Sequence, residues 1–230
     1  MMRIALALAA MAALVRADLA REVEAVCAAT GDVPRASSPL LCAAGEGEEG
    51  EGWAFDLTGY FTDPPDDDPY GSAILRADRG ALHVEGRYNY EDKDTGSLWA
   101  GWTLSWSGEV EFSLVPMAGV VFGHTQGVAP GLELDVVWRA LELYVEAEYV
   151  FDTDGKGDSF FYMWSELTVS PTEWLKVGLV AQRTRAYDTD VGVDRGLLVG
   201  FHVRAVTATV YVFNLDQDDP YVMIGIGLSF

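Results

Sequence analysis

The sequence predicts an all-β protein: a closed antiparallel transmembrane β-barrel of about twelve strands, with short turns at one rim and longer loops at the other. Three observations carry that reading. Apolar residues recur with period two from residue 53 to residue 230. The connections between the periodic runs alternate between long and short. The chain is also both acidic and apolar, with 15 Lys+Arg against 36 Asp+Glu, a net charge of −21, and 50% hydrophobic residues. Disorder does not fit so apolar a composition, because it is low hydrophobicity that prevents burial. Nucleic acid is excluded as a partner by the absence of a basic footprint. The longest charge-free apolar run, Ile4 to Val15, has 12 residues, short of the roughly 18 a spanning helix needs.

The chain divides into three parts. Residues 1–17 read as an export signal, with Arg3 as the basic start, Ile4 to Val15 as the apolar stretch and Val15-Arg16-Ala17 as the cleavage pattern. Residues 18–52 read as a short periplasmic segment that ends in the acidic low-complexity linker AGEGEEGEG. Cys27 and Cys42 leave two readings: a disulfide formed in an oxidising compartment, or two unpaired thiols. Residues 53–230 are the barrel.

Within the barrel, strands are expected near 53–62, 70–78, 81–91, 95–106, 109–124, 130–138, 141–152, 158–169, 173–186, 192–203, 206–215 and 220–230. Leu141 to Phe151 shows the pattern plainly: Leu141, Leu143, Val145, Ala147, Tyr149 and Phe151 alternate with Glu142, Tyr144, Glu146, Glu148 and Val150. Runs of about 9–12 residues match a tilted strand crossing a bilayer. Long connections are expected at 62–69, 92–94, 124–129, 153–157, 187–191 and 216–219. Tight turns fall at Arg79-Gly80, Ser107-Gly108, Arg139-Ala140, Ser170 to Thr172 and Arg204-Ala205. A soluble sandwich has no reason to keep such an alternation, whereas a membrane barrel with two different rims does.

The last strand places Val222, Ile224, Ile226, Leu228 and the terminal Phe230 on one face. This resembles the C-terminal assembly signal of bacterial outer-membrane β-barrels, and with the signal and the loop alternation the resemblance covers 53–230. It implies residence in the outer membrane, contact with its lipid and glycolipid, and delivery by the barrel assembly machinery, with the barrel expected to be a monomer. Trp106 and Trp138 then belong to a periplasmic aromatic girdle, and Tyr88, Tyr90, Tyr149 and Phe122 to an outer one.

In such a barrel the apolar face looks at lipid and the polar face lines the lumen. Parity points Asp56, Arg76, His83, Glu85, Arg87, Glu109, Glu111, Glu133, Asp135, Glu142, Glu146, Glu148, Glu166 and Lys176 inward. Pairing around Arg139-Ala140 sets Glu133 opposite Glu146, a repulsion that needs water, an ion or an arginine such as Arg87 between them. Charged linings set pore selectivity, so a cation-preferring channel is expected. The alternative is a non-conducting structural or ligand-binding barrel, plugged by inward Tyr144, Tyr162 and Trp164.

Two further sites are candidates. Arg183, Arg185 and Arg195 share the lipid-facing parity at the loop ends of the ninth and tenth strands, with Arg183 expected opposite Arg195. They suit the phosphates of an outer-leaflet glycolipid, or they snorkel to the interface. Asp152, Asp154 and Asp158 partly resemble a calcium loop, although the closing glutamate is missing. Solvated acidic turns are the better explanation, because Asp and Gly are ordinary turn formers. No catalytic constellation is expected: His83 and His202 point inward, and no serine is placed beside His124.

Overall fold

The computed structural model describes residues 52–65, 68–155, 159–186 and 192–230. The export signal, the segment to residue 51, both cysteines, Asp158 and the loop at 187–191 lie outside the described residues. The described residues form one antiparallel sheet of thirteen segments. In order they are β1 (Ala54–Asp63), β2 (Tyr70–Arg79), β3 (Leu82–Tyr88), β4 (Thr95–Trp102), β5 (Leu104–Trp106), β6 (Glu111–Gly123) and β7 (Gly127–Trp138). There follow β8 (Leu141–Asp152), β9 (Phe160–Thr172), β10 (Leu175–Ala186), β11 (Gly192–Val203), β12 (Val206–Phe213) and β13 (Tyr221–Ser229).

β4 and β5 are the two halves of one barrel strand. Both pair with β6 in the same register, from Thr95↔Gly123 to Trp106↔Phe112. That register sets Pro116 opposite Trp102, beside the break at Thr103. Proline has no N–H to give to the ladder, which accounts for the interruption. Twelve strands therefore surround the lumen. The sheet closes where β1 meets β13, from Asp56↔Ser229 to Asp63↔Val222. Backbone hydrogen bonds between Phe55 and Phe230 extend that seam to the last residue.

The connections follow the expected alternation except on either side of β6, where the β6–β7 loop, expected at 124–129, is only residues 124–126. Two-residue turns join β2 to β3, β7 to β8, β9 to β10 and β11 to β12. Gly80, Arg139 and Arg204 take left-handed backbone there, with φ of 58°, 57° and 56°. The β5–β6 connection is longer than expected, because Glu109 and Val110 belong to it and not to the strand. The turn expected at Ser170 to Thr172 lies further on, at Glu173-Trp174. β9 continues to Thr172, and a bulge between Leu175 and Val177 absorbs the shift. At the β10–β11 hairpin the register pairs Arg183 with Val193 and Ala181 with Arg195, so Arg183 and Arg195 are not opposite each other. Parity is kept, so both remain on the outer wall.

The outer wall is apolar. Leu98, Val120, Leu179, Leu197 and Ile226 are each about half exposed, as is expected of side chains that meet lipid. Trp106 and Trp138 are exposed beside short turns, while Tyr88 and Phe122 are exposed at the loop end. Tyr149 packs on Phe151 with ring centroids 4.6 Å apart. The inner wall is less polar than parity alone suggests. Trp99, Met117, Val121, Ala129 and Val150 form one buried apolar cluster. Trp164, Val180, Leu198, Tyr211, Phe213 and Met223 form another.

The first cluster depends on glycine. Trp99 lies across from Gly119 in the β4–β6 ladder, and a Cβ at Gly119 would come within 2.4 Å of its ring. Gly119→Ala should destabilise the barrel by about 1–3 kcal/mol through overpacking. The check is the urea midpoint in detergent micelles, followed by the gel-mobility shift between folded and heat-unfolded barrel. An unchanged midpoint would show that Trp99 moves aside without cost.

Candidate functional site

Strand parity carries most of the expected polar residues to the inside, and the geometry then sorts them into a tie and a cavity. Glu85, on β3, is fully buried and is the hub of the tie. One of its oxygens accepts from Arg76 Nε at 2.6 Å and contacts His83 Nε2 at 3.1 Å, and the other accepts from Arg87 Nε at 2.6 Å. Each arginine then reaches over the lumen. Arg76, on β2, donates to Glu133 on β7 at 3.1 Å. Arg87, on β3, donates to Glu146 and Glu148 on β8 at 2.7 and 3.0 Å. Along the wall, β4, β6 and β7 separate β3 from β8, so these contacts brace the barrel from within.

The tie resolves the repulsion expected between Glu133 and Glu146. They are directly opposite, as pairing around the Arg139-Ala140 turn predicts. Arg76 sits on Glu133, Arg87 sits on Glu146, and the Tyr144 hydroxyl lies 2.9 Å from Glu133 and 3.1 Å from Glu146. Removing such ions from water costs several kcal/mol each, so only close charge pairing with added hydrogen bonds makes the arrangement tolerable. His83 contacts Asp78 through Nδ1 at 2.7 Å, which anchors the hub to the end of β2. His83, Glu85 and Glu133 bring potential ligand atoms within 4.8 Å of one another. The Arg76 guanidinium already bonds both glutamates, and it supplies positive charge where a metal ion would.

Beside this tie lies a cavity of about 440 Å³. Its lining runs from Asp56, Glu142, Lys176 and His202, near the short turns, to Thr62, Tyr70 and Lys93, near the loops. Glu166 is held there by Trp164 Nε1 and the Tyr211 hydroxyl, each at 3.0 Å, and by Lys176 Nζ at 3.5 Å. Asp56 accepts from Ser229 Oγ at 2.7 Å, beside the closing seam. Asp135 is buried on the lumen side of β7.

One expected lumen residue lies elsewhere, and another sits at the edge. Glu109 is in the β5–β6 turn, where its side chain is 80% exposed and faces Arg139 at 3.9 Å. Glu111 keeps inward parity but sits half-buried at the first residue of β6. Tyr90 is corrected in the opposite direction. Asn89 turns left-handed with φ of 52° at the end of β3, which breaks the alternation and folds Tyr90 and Glu91 into the lumen. Tyr90 therefore does not join the outer girdle. Its ring meets Tyr162 of β9 edge-on, with centroids 5.5 Å apart. Glu91 lies 3.1 Å from the Trp99 indole nitrogen, which donates to it. Asp194, which parity also directs inward, accepts from Asn214 at 2.7 Å and from the Tyr221 hydroxyl at 3.1 Å.

Of the rim arginines, Arg195 makes an ion pair with Asp216 in the β12–β13 loop. Arg183 lies outward opposite Val193, and the Arg185 side chain is outside the described residues. In the acidic loop after β8, Asp152 accepts the backbone N–H of Asp154 at 3.2 Å, and Gly155 has φ of 69°. A second loop contact ties β3–β4 to β6–β7: Asp92 lies 3.0 Å from His124 Nδ1 and accepts from the Thr125 hydroxyl at 2.6 Å.

The hydrogen bond with Asp92 holds the His124 imidazole above its ordinary range. Partial burial raises Asp92, but the Thr125 and His124 hydrogen bonds outweigh it and keep the carboxyl low. A raised histidine contributes loop stability at low pH, and loses it as pH rises through the raised value. Asp92→Asn should bring the His124 midpoint down toward about 6.5, read from the imidazole C–H resonance during a pH titration. A midpoint unmoved by the substitution would remove the tie. Within the barrel, Arg87→Gln should cost about 3–5 kcal/mol, because it strands buried carboxylates. Adding Glu146→Gln should recover part of that loss in a double-mutant cycle, measured by urea unfolding.

No family model matches the sequence, and no curated protein matches it. Among solved structures, the chain is similar to the KdgM porin, with 13% identity and a TM-score of 0.53 over 77% of this chain and 99% of that one. It is similar to the NanC porin at 9% identity and a TM-score of 0.53, over 76% and 98% of the respective chains. Identities this low speak to fold. Together with the closed sheet, the apolar outer wall and the charged interior, they establish that the chain has the fold of the bacterial outer-membrane β-barrels.

Proposed function

We propose that the barrel is a narrow porin that favours cations and small neutral solutes. The sign of the cavity lining carries this reading. Asp56, Glu91, Asp92, Glu142, Glu146 and Glu166 line it against Arg76, Lys93 and Lys176, so carboxylates outnumber fixed cations two to one. Charge rings of one sign set the selectivity of water-filled pores. The extent of the lining, from residues beside the short turns to residues in the loops, supports a path along the barrel axis. One solved KdgM structure is described as a complex with disordered oligogalacturonate. An acidic oligosaccharide is a poor fit to a lumen whose own charge is negative, so a shared fold does not imply a shared cargo here.

The braces favour a second reading, because Arg76 and Arg87 fill much of the bore on the β3 to β7 side. A barrel that only binds solute, without passing it, fits that half of the interior. Planar-bilayer recording under a KCl gradient separates the two. The porin reading expects discrete channel events and a reversal potential of cation-selective sign. Glu166→Lys should reduce that selectivity, since it reverses one lining charge. Well-folded protein that yields no channel events would falsify the porin reading.

A further inference from the structure

We infer that the girdle formed by Tyr90, Tyr144, Tyr162 and Glu146 is a recognition site for organic ammonium cations, meaning a primary amine or guanidinium on a short apolar stem. The inference rests on the channel reading for its path and goes beyond it by naming a ligand class and a place. All four residues line the cavity. Tyr90 comes from the β3–β4 loop and Tyr162 from β9, yet their rings touch at 5.5 Å and 77°. A loop residue has therefore been brought over to the far wall, and a permeating solute passes beside aromatic surface at that level. Tyr144 and Glu146 follow on the neighbouring strand, with the phenol and the carboxylate 3.1 Å apart. The girdle thus offers ring faces for an apolar stem and oxygen acceptors for its charged head.

The protein already uses this chemistry on a cation of its own. The Arg87 guanidinium lies 4.8 Å from the ring centres of both Tyr90 and Trp99, and it donates to Glu146 at 2.7 Å. Aromatic faces with adjoining carboxylates bind guanidinium and ammonium groups through the ring quadrupole and through charge-assisted hydrogen bonds. An amine entering the cavity meets the same ring from the open side, with the buried Glu146 carboxylate and its Tyr144 phenol just behind. An anion meets the net negative lining, and a neutral polyol gains neither the charge pairing nor the cation–π attraction.

The test uses 1,5-diaminopentane as probe and glucose as the neutral control, on the full chain in planar bilayers. Diamine should reduce the KCl current saturably, while glucose at equal concentration leaves it unchanged. Tyr162→Leu and Tyr90→Leu, each checked for folding by gel-mobility shift, should raise the half-blocking concentration about tenfold, the scale of one desolvated cation–π contact. Conductance without diamine block overturns the inference and leaves the channel reading standing. So does block of equal strength by glucose, or block unaltered in both variants. If no current appears, tryptophan fluorescence in micelles decides it. A saturable change with diamine, weakened in Tyr162→Leu, upholds the site although the channel reading has failed. No change on titration overturns it.

Discussion

In hydrocarbon a backbone N–H or C=O has no water to turn to, and an unpaired one costs several kcal/mol. That constraint organises the molecule. The β1–β13 seam must be paired, and it is paired through the final residue. The break between β4 and β5 stands beside the partner of a proline that could not have donated anyway. Closure then decides where the two halves of the composition go. The apolar face of every strand is spent on lipid, and the charges are left to share the interior.

That inheritance creates a second difficulty, which the arginine ties answer. Carboxylates that line a small barrel are neither fully hydrated nor far apart, and Glu133 and Glu146 meet head-on. A single carboxylate, Glu85, anchors both arginines so that each can extend to the opposite strands. The result is an asymmetric interior. The side near β3 to β7 is packed with ion pairs and with Trp99 over glycine, and the cavity lies toward β8 to β13 and the first two strands. The ties and the cavity thus occupy different sectors of one ring and meet at Arg76, Tyr144 and Glu146.

Much of this was legible in the sequence because period two survives translation into a barrel without loss. Parity alone sent Arg76, His83, Glu85, Arg87, Glu146 and Glu166 inward, and the turn at Arg139-Ala140 was enough to oppose two glutamates. It failed where the backbone leaves the strand conformation. Asn89, left-handed, redirects Tyr90 and Glu91, and nothing in an alternating pattern signals that reversal. Register across a long loop was also beyond reach, because the β10–β11 pairing depends on how many loop residues are taken up, and the two arginines came out diagonal. Asp194 was within reach of the parity rule and simply follows it. The filled half of the lumen was not legible, since polar and apolar inward residues alternate along the sequence without saying which of them will meet.

The off-centre interior has a consequence for how such a protein can change over time. Because β9 to β13 line the cavity but carry none of the Glu85-centred ion pairs, substitutions there can reshape the lining without disturbing the struts. Substitutions near Glu85 touch three partners at once and offer no such freedom. Lineages descended from this architecture should therefore diversify along one arc and stay conservative along the other.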